Sequence, residues 1–495
     1  MPPATPLDAA PSSLKRDLLW AYAASGSKIL AWATVSALLY RHNPADFALF
    51  ALLRATIGIL NYTSLGLAPA MIRLLATATN REGEAPPEPR GHPAQPQLAA
   101  GQRPADAPDD PQRDRPPPVL EYQTPRPITD DALARVHANG TAIAVAAAIV
   151  GVLISVIYGI FYDDIHRLAP RDVQSAPLVM AMGVATVLRL ASDPNGAVLQ
   201  FRGRIALDNA LLTLAEAAWL ALFVASSLDR GTGGIQPAVY TYLAAAVVLY
   251  SLRHRFVVRH TTDPTAPRRR DLLDAPTIGS LLSYGLLITL AQLADFLYAP
   301  VDYILIDALL GWRDLAAYAP AVQIDAALLI LVAGLASVLL PRAALAHAQG
   351  PAGRATVWRY YLRGTLASAG LLAVAGIVVW FAAPLLFKLW LGDPMPATQA
   401  ILPLVLIHTV AGGSSAVGRS ILLATGHAKA FTASVLIAGV ANVVLSYCFV
   451  RYLNLGLPGI VLGTITVVTA RCALWMPWYV HAALQRDLDN AQTNS

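Results

Sequence analysis

Charge is what this 495-residue sequence has least of. Asp, Glu, Lys and Arg make up 14% of it, against about 25% in an average soluble domain. With 56% hydrophobic residues and a mean hydropathy of +0.50, that scarcity excludes a soluble enzyme, a disordered chain and a collagen-like or coiled-coil fibre. Cysteine is almost absent. Cys448 and Cys472 both lie in apolar stretches, which leaves no disulfide framework and no zinc spacing, so no metal and no cofactor is expected. The alternating pattern of a barrel strand is missing as well, so helices must satisfy the backbone within the bilayer. The net charge is +5, but the basic residues sit in loops between apolar runs. They are read as a topology signal rather than as a nucleic-acid surface.

What is present is a series of apolar runs, each long enough to cross a membrane at roughly 20 residues per span. Twelve are predicted: 17–40, 47–75, 133–161, 176–200, 205–228, 237–257, 277–309, 315–343, 359–387, 400–424, 431–451 and 457–480. The fold class is therefore an all-α polytopic membrane protein of two six-helix bundles. Placing the N-terminus in the cytoplasm leaves only Arg41, Arg167, Arg171, Arg230, Arg313, Lys388 and Arg451 in outer loops, with most other basic residues inside. Twelve spans return the C-terminus to the same side. The domain reading is an N-terminal lobe over 1–257, a linker over 258–276, a C-terminal lobe over 277–480 and a tail over 481–495. Residues 78–131 carry thirteen prolines and almost no aromatics. They are read as a disordered cytoplasmic insert, because such a segment buries too little apolar surface to order itself.

A weak internal repeat supports two parallel halves. Asp46-Phe47-Ala48-Leu49-Phe50 opens the second span and Asp314-Leu315-Ala316-Ala317-Tyr318 the eighth. Gly203 after the fourth span matches Gly426 after the tenth.

Charges at membrane depth are costly and face a cavity or a partner. At 1.5 Å per residue, Lys28 lies about 16 Å from the inner end of its span and Arg54 about 11 Å from the outer end. Arg189 and Arg471 fall near mid-span, and Arg419 near the inner end of span ten. Guanidinium forks match phosphate oxygens in pairs, and an ammonium adds a point charge. The five are read as a cationic cavity suited to a lipid-linked pyrophosphate. The bland alternative is snorkelling for Arg419, and ion pairing with Asp193, Asp208 or Glu216 for Lys28, Arg54 and Arg189. Asp295 and Asp302, seven apart, would share a helix face. With Asp325 they are candidates for a proton or sodium site, against ion pairs or rim charges. Asp307 reads as a rim charge and His408 as a packed histidine. Asn61-Gly66-Pro69, Asp193-Pro194-Asn195-Gly196 and Gly412-Gly413-Ser414-Ser415 are hinge candidates. The outer loops are short, without the substantial outer catalytic loop that a membrane glycosyltransferase or polymerase needs, so an enzyme is not expected.

The stretch from Leu14-Lys15-Arg16-Asp17 through Ser64-Leu65-Gly66-Leu67-Ala68-Pro69 resembles the bacterial polysaccharide-biosynthesis (Wzx-like) flippases of the multidrug/oligosaccharidyl-lipid/polysaccharide exporter superfamily. So do Val301-Asp302-Tyr303 to Gly311, Leu389-Trp390-Leu391-Gly392, and Leu422-Leu423-Ala424-Thr425-Gly426 followed by Asn442 and Gly456-Leu457-Pro458-Gly459. The resemblance covers the chain apart from the insert. It implies a V-shaped pair of bundles that moves polyprenyl-pyrophosphate-linked oligosaccharide across the inner membrane. It also implies membrane lipids and a polysaccharide-assembly machinery as partners. The alternative on the same fold is a multidrug or cation antiporter, which predicts an acidic, aromatic-lined pocket.

Overall fold

The computed structural model describes residues 14–60, 66–68, 70–72, 74–75, 130–166, 174–230, 234–261, 273–296, 298–348, 351–425 and 427–493. Among these there are helices and turns but no strand. The first lobe contains α1 (Leu14–His42), α2 (Pro44–Ile57), α3 (Asp130–Ile165), α4 (Ser175–Ala191), α5 (Asp193–Phe201), α6 (Ile205–Arg230) and α7 (Ile235–Thr261). The second contains α8 (Ala275–Phe296), α9 (Ala299–Leu309), α10 (Trp312–Ala348), α11 (Pro351–Leu391), α12 (Pro396–Ala424), α13 (Ala428–Arg451), α14 (Gly456–Thr469), a π-helical turn at Ala470–Trp475, and α15 (Met476–Thr493). Nine helical stretches among the described residues are long and apolar enough to span a bilayer. Their outward faces stay apolar, as Leu366, Val374, Phe381 and Leu385 along α11 do. Hydrocarbon, unlike water, does not penalise that exposure.

Three of the predicted spans are broken, one of them 47–75, which leaves its α-helix at Ile57 and turns at Gly66 with φ +55°. Asp193-Pro194 divides α4 from α5 after Ser192, where proline suits a first helical turn but would disrupt an interior one. The seventh span divides at Tyr298, with proline in the first turn of α9. Asp295 and Asp302 therefore lie on different helices, not on one face. The third hinge candidate is corrected too: α12 runs through Gly412-Gly413-Ser414-Ser415 unbroken. A Cβ on Gly413 would sit 2.5 Å from Leu372 and 2.7 Å from Leu329, so this glycine serves close packing. Asn61, Pro69 and Gly426 lie outside the described residues, as does the insert 78–131 apart from Asp130 and Asp131, which begin α3. Within 258–276, α7 continues to Thr261 and α8 starts at Ala275. Asp274 precedes it, and hydrogen bonding from Thr277 holds its carboxyl below the ordinary range.

Burial falls into three clusters, and their placement gives the shape. One joins both lobes, with Trp32, Phe47 and Phe50 packed in the same core as Tyr303, Ile306 and Phe387. The second holds Met71, Leu133, Val198 and Leu249 of the first lobe, touched by Leu281 of α8. The third holds Ala343, Tyr361, Val417 and Met476 of the second lobe alone. The shared core lies where α2 and α10 begin, and the third where α10 finishes and α15 begins. The described cores thus join the lobes broadly at one end and only through α8 at the other. Four contacts stitch the broadly joined half: Arg41 Nη2 to Leu389 O at 2.6 Å, Trp390 Nε1 to Ala33 O at 2.8 Å, Gln323 Nε2 to Ser36 Oγ at 3.1 Å, and His166 Nδ1 with Asp307 Oδ2 at 2.6 Å. Toward the other end a strap from Asn139 Nδ2 to Asp274 Oδ1 at 3.2 Å remains.

Asp307 is therefore no rim charge. It is 2% exposed and held by His166, which also meets Tyr158 Oη at 2.6 Å. A buried hydrogen bond to a charged group contributes about 1.5–3 kcal/mol. Asp307→Ala is expected to lower stability by about that amount in a fluorescence melt, whereas Asp163→Ala, at an exposed site, should leave the melt near wild type.

Candidate cation-lined cavity

Lys28 and Arg54 sit deep along their helices, yet both side chains remain exposed, because both open into cavities between and beside the lobes. The larger, about 810 Å³, is lined by Lys28 and Trp32 of α1, Arg54 of α2, Gln323 of α10, and Leu386 and Trp390 of α11. The smaller, about 490 Å³, shares Lys28, Trp32 and Arg54 and continues into the first lobe along Arg189, Tyr242 and Arg253. Helical spacing explains the shared wall, since Lys28 and Trp32 are four apart and lie on one face. Trp32 anchors the site. It packs on Trp219 with ring centroids 4.6 Å apart, on Phe50 at 5.3 Å and on Tyr242 at 5.5 Å.

The three first-lobe cations are held differently. Arg54 stacks over Trp32 at 4.1 Å, a cation–π contact that leaves its donors available. Neither Arg54 nor Lys28 has an ion pair or side-chain hydrogen bond among the described residues. Arg189 lies 4.3 Å over the Tyr242 ring and donates through Nη1 to Glu216 Oε1 at 2.5 Å. Asp193 and Asp208, considered from sequence as partners for these three, are taken by Arg253 instead. Arg253 Nε and Nη2 both reach Asp208 Oδ1 at 2.8 Å, and Nη1 reaches Ser192 Oγ at 2.9 Å and Asp193 Oδ1 at 3.4 Å. Gln200 Nε2 fills the other Asp208 oxygen at 2.8 Å. The network staples the α4–α5 break to α6 and α7. Gly196 makes room for it, since a Cβ there would meet Arg253 Nη2 at 3.0 Å. Arg253 lies within the predicted span 237–257, in α7. It is 4% exposed.

Arg419 and Arg471 line neither cavity. They converge in the second lobe on the Phe431 ring, at 5.6 and 5.8 Å, and Arg471 also faces Tyr298 at 5.8 Å. Arg471 rides on the π-helical turn, which places it in register with that ring pair. Gly418 admits Met476 beside it, since a Cβ would meet Met476 Sδ.

The acidic candidates also separate. Asp302 is fully buried and accepts from Tyr318 Oη at 2.9 Å, Thr464 Oγ1 at 2.8 Å and Asn442 Nδ2 at 3.1 Å. Thr464 and Ser446 lie within 3.0 and 3.3 Å of Asn442 Oδ1. Asp325 accepts from Thr409 Oγ1 at 2.6 Å, with His408 Nδ1 at 3.7 Å, so His408 stands beside a carboxylate rather than alone among apolar side chains. The side chain of Asp295 lies outside the described residues. Trp32, Tyr242, Trp390 and Gln323 were missed as lining residues. Only Trp32 carried a usable signal, its four-residue spacing from Lys28.

Breaking a buried ion pair from one side costs about 3–5 kcal/mol, whereas replacing both partners by apolar groups costs little. Asp208→Ala should destabilise the protein by about that amount, and Asp208→Leu with Arg253→Met should recover most of it. Thermal unfolding in detergent reads both.

The MatE family model matches residues 288–448. Comparison with the curated proteins gives no match. Among solved structures, the chain is similar to the inward-facing conformation of a multidrug resistance MATE family transporter of the MOP superfamily, at 13% identity over 92% of this chain and 96% of that one, with a TM-score of 0.68. The outward-facing conformation of such a transporter gives 14% identity, 95% coverage of each chain and a TM-score of 0.56. A MOP superfamily transporter from Pyrococcus furiosus Vc1, for which reverse polarity of the binding pocket is taken to suggest a different function, gives 12%, 95% of each chain and 0.55. At these identities the likeness establishes the fold: an all-helical, multi-pass membrane protein with the two-lobe architecture of the MATE transporters.

Proposed function

We propose that the protein is a transporter of the MOP superfamily that moves an anionic amphiphile, a polyprenyl-pyrophosphate-linked oligosaccharide, from the inner to the outer leaflet for polysaccharide biosynthesis. One observation carries the reading: Lys28 and Arg54 face the cavity without a carboxylate partner, and the wall opposite is apolar, built from Val379, Leu386, Leu389 and Trp390. A diphosphate satisfies the cations, and an isoprenoid chain follows the apolar wall toward lipid. Arg189 extends the cationic face, and Arg419 with Arg471 would meet the cargo in a later conformation of the second lobe. The less broadly joined end faces the cytoplasm in this scheme, with both termini there and the protein in the bacterial inner membrane. Asp302 is the proposed ion-coupling residue, its oxygen-rich surroundings of Asn442, Ser446 and Thr464 suiting a sodium ion or a proton. Asp325 is the second coupling candidate.

The second reading is a multidrug or cation antiporter. The MatE match and the multidrug neighbours favour it. The unpaired cations of the cavity disfavour it, because a cationic drug would enter against their field.

Reconstituted vesicles loaded with a short-chain polyprenyl-diphosphate sugar separate the two. Each of Lys28→Ala, Arg54→Ala and Arg189→Ala should lower flipping about tenfold or more, the value of one charge-assisted hydrogen bond. Undiminished flipping in all three, or efflux of a cationic dye by the wild type, would overturn the proposal.

A further inference from the structure

Two arginine–carboxylate pairs sit in the first lobe, and they are built to opposite standards. In the Arg253–Asp208 pair every nitrogen of the guanidinium and both carboxylate oxygens have partners. In the Arg189–Glu216 pair a single hydrogen bond, Nη1 to Oε1, joins the two side chains. Arg189 Nε and Nη2 and Glu216 Oε2 are buried without a hydrogen-bond partner. A buried polar atom left unsatisfied costs about 1–3 kcal/mol, so the second pair is an arrangement ready to exchange for a better one.

Its position says what the better one is. Arg189 lines the smaller cavity beside Lys28 and Arg54, and its fork carries donors that one carboxylate oxygen cannot use. Glu216, on the facing helix α6, is 4% exposed and lies within electrostatic reach of all three cations: Arg189 from α4, Lys28 from α1 and Arg54 from α2. The other ionisable group against it is Tyr242 of α7. Among the described residues Glu216 is hydrogen-bonded to Arg189 alone, through one oxygen.

We propose that Glu216 is an internal counter-anion that occupies Arg189 in the empty protein and is displaced when a phosphate of the cargo takes the Arg189 fork. Resting on the reading of an anionic cargo, this assigns Glu216 as a positioning residue that sets how tightly the cargo is held. The exchange is one of hydrogen bonds alone. Arg189 gives up one bond to Glu216 and gains a paired contact to phosphate, so the pairing competes with the cargo for the same fork. Loose binding suits a carrier, which must release what it captures.

The test is calorimetric binding of farnesyl diphosphate to the full chain in lipid nanodiscs at fixed ionic strength. Glu216→Gln, which keeps the shape and removes the charge, should bind about tenfold tighter than wild type. Glu216→Asp keeps the charge but withdraws the carboxylate by one carbon, and should also bind tighter. Arg189→Gln should bind about tenfold weaker, and adding Glu216→Gln to it should change affinity less than twofold. A merely structural Glu216 would lower affinity when changed, so weaker or unaltered binding by a Glu216→Gln variant that melts within a few degrees of wild type overturns the proposal. So does an equal gain from Glu216→Gln with and without Arg189, which would reduce the residue to a general field. Should the wild type ignore farnesyl diphosphate but bind a lipophilic cation, the anionic-cargo reading fails first, and this inference with it.

Discussion

An ionised side chain between membrane helices must be paired, stacked or kept wet, and the first lobe applies each solution in turn. Arg253 is paired to saturation, Arg189 is paired once and stacked on Tyr242, Arg54 is stacked on Trp32, and Lys28 is left to the cavity. The last two govern the shape. Closing the less broadly joined end over Lys28 and Arg54 would take two unpaired charges out of water, at several kcal/mol each. An anion travelling with them removes most of that penalty. On the proposed reading, the two residues that recognise an anionic cargo would also oppose closure of the empty molecule.

The opposite end is held by contacts of another kind. Trp390 donates to Ala33, Gln323 to Ser36 and Arg41 to Leu389, and the His166–Asp307 pair is shielded by Tyr158. These are few and directional, set in a shared aromatic core. Such an interface separates as a unit rather than creeping. The saturated Arg253 network has a complementary part. It clamps the α4–α5 break, so a bend there carries α6 and α7 with it. A rigid staple beside a half-satisfied pair places flexibility at Arg189 and keeps it away from the backbone.

Much of this is legible in the sequence because hydrocarbon makes charge conspicuous. Lys28, Arg54 and Arg189 stand out in apolar runs, and the structure brings them to one wall; Asp193-Pro194 marks a helix break that is present. What is not legible depends on partners distant in the chain. Glu216 was one of three ion-pair candidates for Arg189 and is the one that holds it, but nothing near Arg253 says that it would claim Asp208 and Asp193. Asp307 reads as a rim charge by depth alone, since His166 lies 141 residues away. Proline in the first turn of α9 was a visible breaker, and a hydropathy count ran through it because both flanks are equally apolar. Gly412-Gly413 misled in the other direction. Small residues permit bending and close packing alike, and only the neighbours Leu329 and Leu372 decide between them.

Fold and cargo are separable here. Chains 12–14% identical keep this architecture, because apolar helices pack through shape, and many sequences supply the same shape. Pocket polarity is under no such constraint, so likeness of fold leaves the cargo open. The charge arithmetic is more selective. A univalent cation about 8 Å from an unpaired cation, at an effective dielectric near 20, is repelled by about 2 kcal/mol. Facing both Lys28 and Arg54, before any compensation by Glu216, it would lose about a thousandfold in affinity, and on the proposed reading a diphosphate would gain from the same field. Reversing that preference would require carboxylates on the cavity wall beyond those that Arg189 and Arg253 already hold.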